Sequence, residues 1–265
     1  MKATYQHNFK KAQCRIGNNL DYKLHFHHQV ELVYMFKGEG TAVIDGKELT
    51  LKSGDILTVF PNQLHEYKYC SDEQFFITIF KPEILYDFKD IFYNMLPESN
   101  VYSTDNKNTF LYDLAYRLPE ISKAENIYYN QIYKGLLYAF FGELFSKINL
   151  VKAKSADLSV LKSVLNYCVE NYKNDISLNS VSTNLHVSKY YISHLLNDKL
   201  GISFNEYINS LRIADAVILL EQGKPDITEI AQISGFNTVR TFNRAFKSIY
   251  GQSPTQYKKN DKTTE

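Results

Sequence analysis

Cysteine is scarce and scattered in this chain of 265 residues: Cys14, Cys70 and Cys168, with no CxxC pair among them. An odd, dispersed set excludes a disulfide framework and a zinc knuckle, and points to a reducing, cytoplasmic setting. Long apolar runs are missing too. The longest, Leu136-Leu137-Tyr138-Ala139-Phe140-Phe141, is far too short to cross a bilayer. The first residues lack the basic, apolar, small-residue order of a secretory signal, so none is expected. Net charge is nearly absent, +1 overall, with 12 Lys and Arg against 11 Asp and Glu from Ser155 onward. Bulk charge therefore offers no footprint for a polyanion, and any such footprint must come from local arrangement on one face. What is present is an ordinary globular composition, 44% hydrophobic and 22% charged, in a chain long enough for two cores.

Three textures follow one another. From about Lys11 to Phe80 the chain alternates short β-branched or aromatic runs with turn signals. Glu31 to Phe36 closes on Lys37-Gly38-Glu39-Gly40, and Thr41 to Ile44 runs into the Asp45-Gly46 hairpin signal. Ser53-Gly54-Asp55 and Pro61-Asn62 punctuate the next two runs, and Phe75 to Phe80 ends the series. Closely spaced strands of this kind predict a small antiparallel barrel. From Pro82 to about Leu150 the period becomes helical, with Ile132, Leu136, Ala139, Phe140 and Leu144 at spacings of three and four. That helix also carries Tyr128, Tyr129, Tyr133, Tyr138, Phe141 and Phe145, so its apolar surface exceeds one stripe and needs a second cover. The cover is either its own barrel or the seam of a dimer. A short polar stretch from Val151 to Ala156 reads as a linker. The expected division is a barrel over 1–81, a helical dimerisation segment over 82–150, a linker over 151–157 and a helical domain over 158–260.

The helical domain contains one unit twice. Leu178-Asn179-Ser180-Val181-Ser182, His186-Val187-Ser188, Leu195-Leu196, Gly201-Ile202-Ser203-Phe204 and Tyr207 are matched by a second set. It reads Ile227-Thr228-Glu229-Ile230-Ala231, Gly235-Phe236-Asn237, Ala245-Phe246, Gly251-Gln252-Ser253-Pro254 and Tyr257. Val181 to Ile230 is a shift of 49 and Gly201 to Gly251 a shift of 50, which places one inserted residue at the turn after Phe236. Each copy has the pattern of a helix-turn-helix. In the first, Ser188 is the expected N-cap of the second helix, and Ile192, Leu195, Leu196 and Leu200 form its inner stripe. Tyr190, Ser193, His194 and Asn197 share the opposite face, with Lys189 beside them. In the second copy Asn237 is the expected cap, Phe242, Ala245, Phe246 and Ile249 face inward, and Arg240, Asn243, Arg244 and Lys247 face out. Arg suits guanine edges and Asn suits adenine, so the outer faces are candidate readers of duplex DNA. Phe204 to Gln222 joins the copies as one helix, with Tyr207, Ile208, Leu211, Ala214, Val217 and Leu220 or near neighbours inward and Gly223 and Pro225 ending it. Such a spacer could hold two recognition helices about one duplex turn, roughly 34 Å, apart. Using the double unit for protein contacts is the competing reading, disfavoured by four polar and basic side chains projecting together.

In order and spacing, Gly201-Ile202-Ser203-Phe204-Asn205-Glu206-Tyr207, Leu211-Arg212-Ile213-Ala214, Ile227-Thr228-Glu229-Ile230-Ala231, Gly235-Phe236, Phe242-Asn243-Arg244-Ala245-Phe246-Lys247 and Gly251-Gln252-Ser253-Pro254-Thr255-Gln256-Tyr257 resemble the AraC/XylS family of bacterial transcription regulators. The resemblance spans about Asp157 to Lys259. It implies two helix-turn-helix units bridged by a long helix, regulation of initiation beside RNA polymerase, and activation more than repression. Carried over by position, it implies base reading by Tyr190, Ser193 and His194 in the first unit and by Arg240, Asn243 and Arg244 in the second. Ser193-His194 stand where many relatives have longer or charged groups, which leaves direct readout there weak.

In the first segment, His25-Phe26-His27-His28-Gln29-Val30-Glu31 has the form HxHxxxE, and Pro61-Asn62-Gln63-Leu64-His65 follows. These resemble the two motifs of the cupin barrel, common at the N-terminus of the same regulators. In metal-binding cupins the matching residues would be His25, His27, Glu31 and His65. The second motif here is one residue short and lacks a glycine, and His28 leaves open which histidines turn inward. The expectation is therefore a metal-free, cofactor-free pocket for a small molecule, lined by His25, His27, Glu31, Val33, Met35 and His65. Its polar groups suit a sugar or another hydroxylated ligand. A metal-dependent cupin enzyme fused to a DNA-binding half is the alternative. The fold expected for the whole chain is α+β: an antiparallel cupin-like barrel with a helical dimerisation segment, then an all-α double helix-turn-helix. It is expected to be a cytoplasmic homodimer whose partners are double-stranded DNA, a small-molecule effector and RNA polymerase.

Overall fold

The computed structural model describes residues 4–5, 13–68, 72–104, 109–123, 127–152, 156–221 and 226–261. Cys70, the middle of the expected linker, and Gly223 and Pro225 lie outside them. The chain divides into two compact units, chiefly Lys11–Lys162 and Ser163–Glu265.

The first unit is built on strands β1 (Thr4–Tyr5), β2 (Gln13–Gly17), β3 (Tyr22–Phe26), β4 (Val30–Lys37), β5 (Glu39–Ile44), β6 (Lys47–Lys52), β7 (Asp55–Val59), β8 (His65–Lys68) and β9 (Gln74–Phe80). A short ladder, β10 (Leu96–Pro97) with β12 (Leu150–Val151), and an edge strand, β11 (Val101–Ser103), complete it. The strands form two five-stranded sheets, ordered β1-β3-β8-β5-β6 and β11-β7-β4-β9-β2, and the pairings among β2 to β9 and β11 are antiparallel. The expected barrel is realised as these two sheets. The Asp45-Gly46 signal works as read. Both residues take positive φ, 50° and 82°, and β5 returns directly as β6 with Ile44 opposite Lys47.

Period-two alternation along β4 sends alternate side chains to two different cores. Val30, Leu32 and Tyr34 pack with Ile56, Phe60, Phe76 and Phe80 against helices. Glu31, Val33 and Met35 point the other way, and Glu31 meets side chains of β8 in the first sheet. The helices are α1 (Lys89–Asn94), α2 (Thr109–Lys123) and α3 (Tyr129–Phe145), preceded by a 3-10 segment at Pro82–Phe88. Tyr133, Leu137, Phe140, Phe141 and Leu144 of α3 are buried in that same core. The aromatic excess of α3 is thus spent largely on its own sheet. Exposed large apolar side chains lie instead on α2, at Phe110, Tyr112 and Tyr116, and at Ile127 and Tyr128 before α3.

The second unit is helical: the part of α4 (Ala156–Asn171) from Ser163 onward, then α5 (Leu178–Leu185), α6 (Lys189–Leu195), α7 (Phe204–Glu221), α8 (Ile227–Ile233), α9 (Val239–Tyr250) and α10 (Pro254–Asp261). A π turn at Leu196–Leu200 extends α6 to the left-handed Gly201. α7 has 18 residues and rises about 27 Å. Its inner face follows the expected one at Tyr207, Ile208, Leu211, Val217 and Leu220 and shifts to near neighbours at one position. Ile213 and Ala216 are buried there, whereas Ala214 is only partly so, because both flanks of this helix carry neighbours.

Candidate functional site

The two helix-turn-helix copies repeat down to individual hydrogen bonds. α5 begins on Ser177, whose hydroxyl accepts from Ser180 N, and α8 begins on Asp226, whose carboxylate accepts from Glu229 N. The turns close alike: Val187 N donates to Ser182 O, and Phe236 N to Ala231 O. The left-handed residue is His186 in one copy and Gly235 in the other, and the register slips by one at Asn237. That slip moves the second cap. Thr238, and not Asn237, is the N-cap of α9, and its hydroxyl accepts from Thr241 N. Ser188 does occupy the N-cap of α6, but its side chain makes no capping bond. Beyond the recognition helices, Ser203 with Glu206 and Ser253 with Gln256 form matching reciprocal caps.

Burial separates the two faces of each recognition helix. Ile192, Leu195, Leu196 and Leu200 are buried in the first, and Phe242, Ala245 and Phe246 in the second, with Ile249 partly so. Arg240, Asn243, Arg244 and Lys247 are all exposed on α9, one face over two turns. In α6 Lys189, Tyr190, His194 and Asn197 are exposed and Ser193 is half-buried. Tyr190 is 78% exposed, with the Lys189 ammonium 5.5 Å from its ring centre. Asn197 turns its amide back onto Ser193 O at 2.8 Å, so part of its hydrogen-bonding capacity stays within the helix.

Arg212 lies in the Leu211-Arg212-Ile213-Ala214 segment of α7, but its work is structural and the sequence pattern did not disclose it. Its guanidinium donates to Tyr172 O at 2.7 Å and Asn174 O at 2.9 Å and lies over the Phe236 ring. The 172–174 loop is thereby fixed beside the second turn. Gly235 presses against the same loop: a Cβ there would sit 2.7 Å from Lys173 Cα.

The inner site of the β unit gathers four side chains from three strands or their ends. His25 lies in β3 and His27 just after it, Glu31 is on β4, and His65 opens β8 opposite His25. Ring centres are 4.0 Å apart for His25 and His65 and 4.8 Å for His27 and His65. Glu31 Oε2 is 3.1 Å from His27 Nε2 and 3.7 Å from His65 Nε2. Each imidazole turns Nδ1 to a backbone carbonyl: His25 to Lys23 O, His27 to Gln29 O and His65 to Gln63 O. Burial pushes His25 down to about 3, with the neighbouring His65 adding to the effect, and burial likewise lowers His27. Val33 and Met35 are buried on the Glu31 face of β4, and His28 stays outside the cluster. Tyr67 was missed by the motif reading. Its hydroxyl donates to Glu31 Oε1 at 2.5 Å, and its spacing of two from His65 on one strand was the available signal.

Two family profiles match the chain. "AraC-like ligand binding domain" covers residues 13–87 and "Helix-turn-helix domain" covers residues 181–260. The Msm operon regulatory protein of Streptococcus mutans is 28% identical over 141 residues, 53% of this chain and 50% of that protein. The HTH-type transcriptional regulator YijO of Escherichia coli is 28% identical over 109 residues, 41% of this chain and 38% of its own length. The chain thus spans half or less of the length of these relatives. Among solved structures, wild-type ToxT from Vibrio cholerae with bound unsaturated fatty acid shares the fold, with a TM-score of 0.53 at 18% identity over 96% of each chain.

Proposed function

The chain belongs to the AraC/XylS family of transcription regulators, and on that premise we propose that it binds duplex DNA sequence-specifically and answers to a small ligand held in its β unit. The observation that carries the reading is the repeated recognition face: Arg240, Asn243, Arg244 and Lys247 exposed on α9, and Tyr190, Ser193, His194 and Asn197 at the corresponding places of the first copy, with Lys189 beside them. Arg240, Asn243 and Arg244 read base edges, and Lys247 and Lys189 meet phosphates. Tyr190 supplies an apolar contact of the kind a thymine methyl accepts.

The ligand site is the inner cluster of His25, His27, Glu31 and His65, walled by Val33 and Met35. Ligand binding shifts the regulator between two arrangements by binding them unequally. The fatty acid held by ToxT supports a ligand-binding role for this fold and leaves the chemistry of the ligand to the residues present here. The protein works as a homodimer through residues 82–150, with the exposed rings of α2 as the seam, activates transcription beside RNA polymerase, and resides in the cytoplasm. No helix among the described residues is long and apolar enough to cross a membrane, which accords with that location. It performs no catalytic step; its relatives are transcription regulators.

The test uses a duplex recovered from a genomic fragment pool on the immobilised full chain. In gel shifts Arg244→Ala is expected to weaken specific binding by about 1–3 kcal/mol and to relax base preference at one position. Lys247→Ala is expected to weaken all sequences evenly and to reduce the salt slope by about 1. Unchanged affinity and selectivity for Arg244→Ala, or no duplex retained by the wild type, would remove the reading.

A further inference from the structure

The carbonyl that holds His65 belongs to Gln63, and Gln63 spends its buried side chain elsewhere. Gln63 O accepts from His65 Nδ1 at 2.9 Å. Its Oε1 accepts from Phe60 N at 2.9 Å and from Asn100 Nδ2 at 3.0 Å, and its Nε2 donates to Asp45 Oδ2 at 2.9 Å. Asp45 takes Leu64 N on its other oxygen, at 3.0 Å, and gives its own N–H to Leu64 O. The short corner from Phe60 to His65 therefore fixes the His65 ring, the β5–β6 turn and Asn100 together. A shift of the ring that drags its carbonyl partner disturbs the other two, because a buried amide left without partners is costly. From Asn100 the chain runs back to Met95 as a strap. Asn100 Nδ2 also donates to Thr58 O at 2.7 Å, Glu98 N donates to Asn149 O at 2.9 Å, and Leu96 and Pro97 pair with Val151 and Leu150. At the far end Met95 O accepts from Lys162 Nζ at 2.7 Å. Lys162 lies in α4 and is the last residue of the first compact unit.

From this network we propose that Gln63 is a positioning residue for regulation, carrying occupancy of the inner site through Asp45 and the 95–100 strap to Lys162. The proposal rests on the reading above, in which the inner cluster holds the ligand and the helical unit binds DNA. A ligand that displaces His65 acts on Gln63 O directly, and Gln63 passes the strain to the turn and the strap it is bonded to. Electrostatics runs along the same line. Burial raises the Asp45 carboxyl, and Gln63, Leu64 N, His65 and Lys162 draw it back. Burial lowers the Lys162 amine to about 8, and Asp45 opposes that fall. Asp45 thus interacts with both His65 and Lys162. An amine so near balance changes its charge, and its hold on Met95 O, for a small change in the field of Asp45. That makes the Lys162 contact the two-state element of the device. α4 runs on from Lys162 into the helical unit, so the chain itself carries the change onward.

The experiment is a double-mutant cycle on the full chain. His65→Gln stands in for a ligand-induced change at His65, and Gln63→Leu cuts the amide ties while keeping the backbone carbonyl. The first readout is the titration of the Lys162 amine in lysine-labelled protein by NMR, its signal assigned by its loss in Lys162→Arg. His65→Gln is expected to move that midpoint by about 0.3–1 pH unit with Gln63 present and by under about 0.1 in the Gln63→Leu background. The second readout is duplex retention from the genomic fragment pool. His65→Gln should change it by about fivefold or more with Gln63 present, and by under about twofold with Gln63→Leu or Lys162→Met. Where Gln63→Leu does not fold, Gln63→Glu replaces it, because that variant keeps an acceptor for Phe60 N and Asn100 and removes the donor to Asp45. Additive effects in the titration, or a Lys162 midpoint indifferent to His65→Gln, overturn the relay and leave Gln63 a structural residue. Coupling in the titration but additive retention overturns the last step, from Lys162 to DNA binding. A wild type that retains no duplex removes the regulatory reading instead, and the titration cycle then decides the relay alone.

Discussion

Gly235→Ala is expected to cost the helical unit about 2–5 kcal/mol, the sum of a left-handed-backbone penalty and an overpacking penalty. Gly235 takes φ +89°, and a Cβ there would lie 2.7 Å from Lys173 Cα, 2.9 Å from Lys173 O and 3.0 Å from Tyr172 O. All of those are backbone atoms, which cannot swing aside. The loop that would have to move is the one Arg212 holds by hydrogen bonds to Tyr172 O and Asn174 O. Gly251→Ala is the internal control. It takes φ +71° at the end of α9, yet a Cβ there meets nothing within 4 Å, so only the backbone penalty of about 1 kcal/mol applies. Urea denaturation of both variants, with duplex retention as a second readout, separates the two contributions. Equal losses would show that close approach to Lys173 is not what the glycine supplies.

That contrast also marks how far the sequence could be read. Features that depend on neighbours along the chain were legible. The Asp45-Gly46 hairpin, the two-sided alternation of β4 and the inner stripes of both recognition helices follow from local φ preferences and from periods of 2 and 3.6 residues. The duplication itself was legible because two copies give each other context, and the insertion after Phe236 was located correctly. Features set by tertiary contact were not. Asn237 and Thr238 are both good caps, and only the path of the turn makes Thr238 the acceptor for Thr241 N. Arg212 looks like any polar residue on a long helix until its partners at Tyr172 and Asn174 are known. The four inner residues of the β unit were named from their spacing, but tautomers are fixed by the carbonyls of Lys23, Gln29 and Gln63, which no spacing rule reveals.

The sequence left open whether α3 covers its own sheet or a second copy, and substitution can test which role its rings play. Phe141 is fully buried, with ring centres 5.6 Å from Phe80, 5.2 Å from Phe92 and 5.4 Å from Phe145. Removing it leaves a cavity in a rigid aromatic cluster that straddles β9, α1 and α3. Phe141→Ala should therefore destabilise the β unit by about 3–5 kcal/mol, read as a lowered denaturation midpoint at every protein concentration. Tyr116 on α2 is different. It is 47% exposed beside the similarly exposed Tyr112, with Asp113, Arg117 and Glu120 around them. Tyr116→Ala should leave the midpoint of the dissociated chain within about 0.5 kcal/mol, as for other surface sites, and weaken self-association in sedimentation equilibrium. The physical distinction is where water goes. A ring already excluded from water by its own fold has no further apolar area to bury in a dimer, whereas a half-exposed ring has. If Phe141→Ala shifted association while sparing the midpoint, α3 would have to pack differently from the arrangement described above.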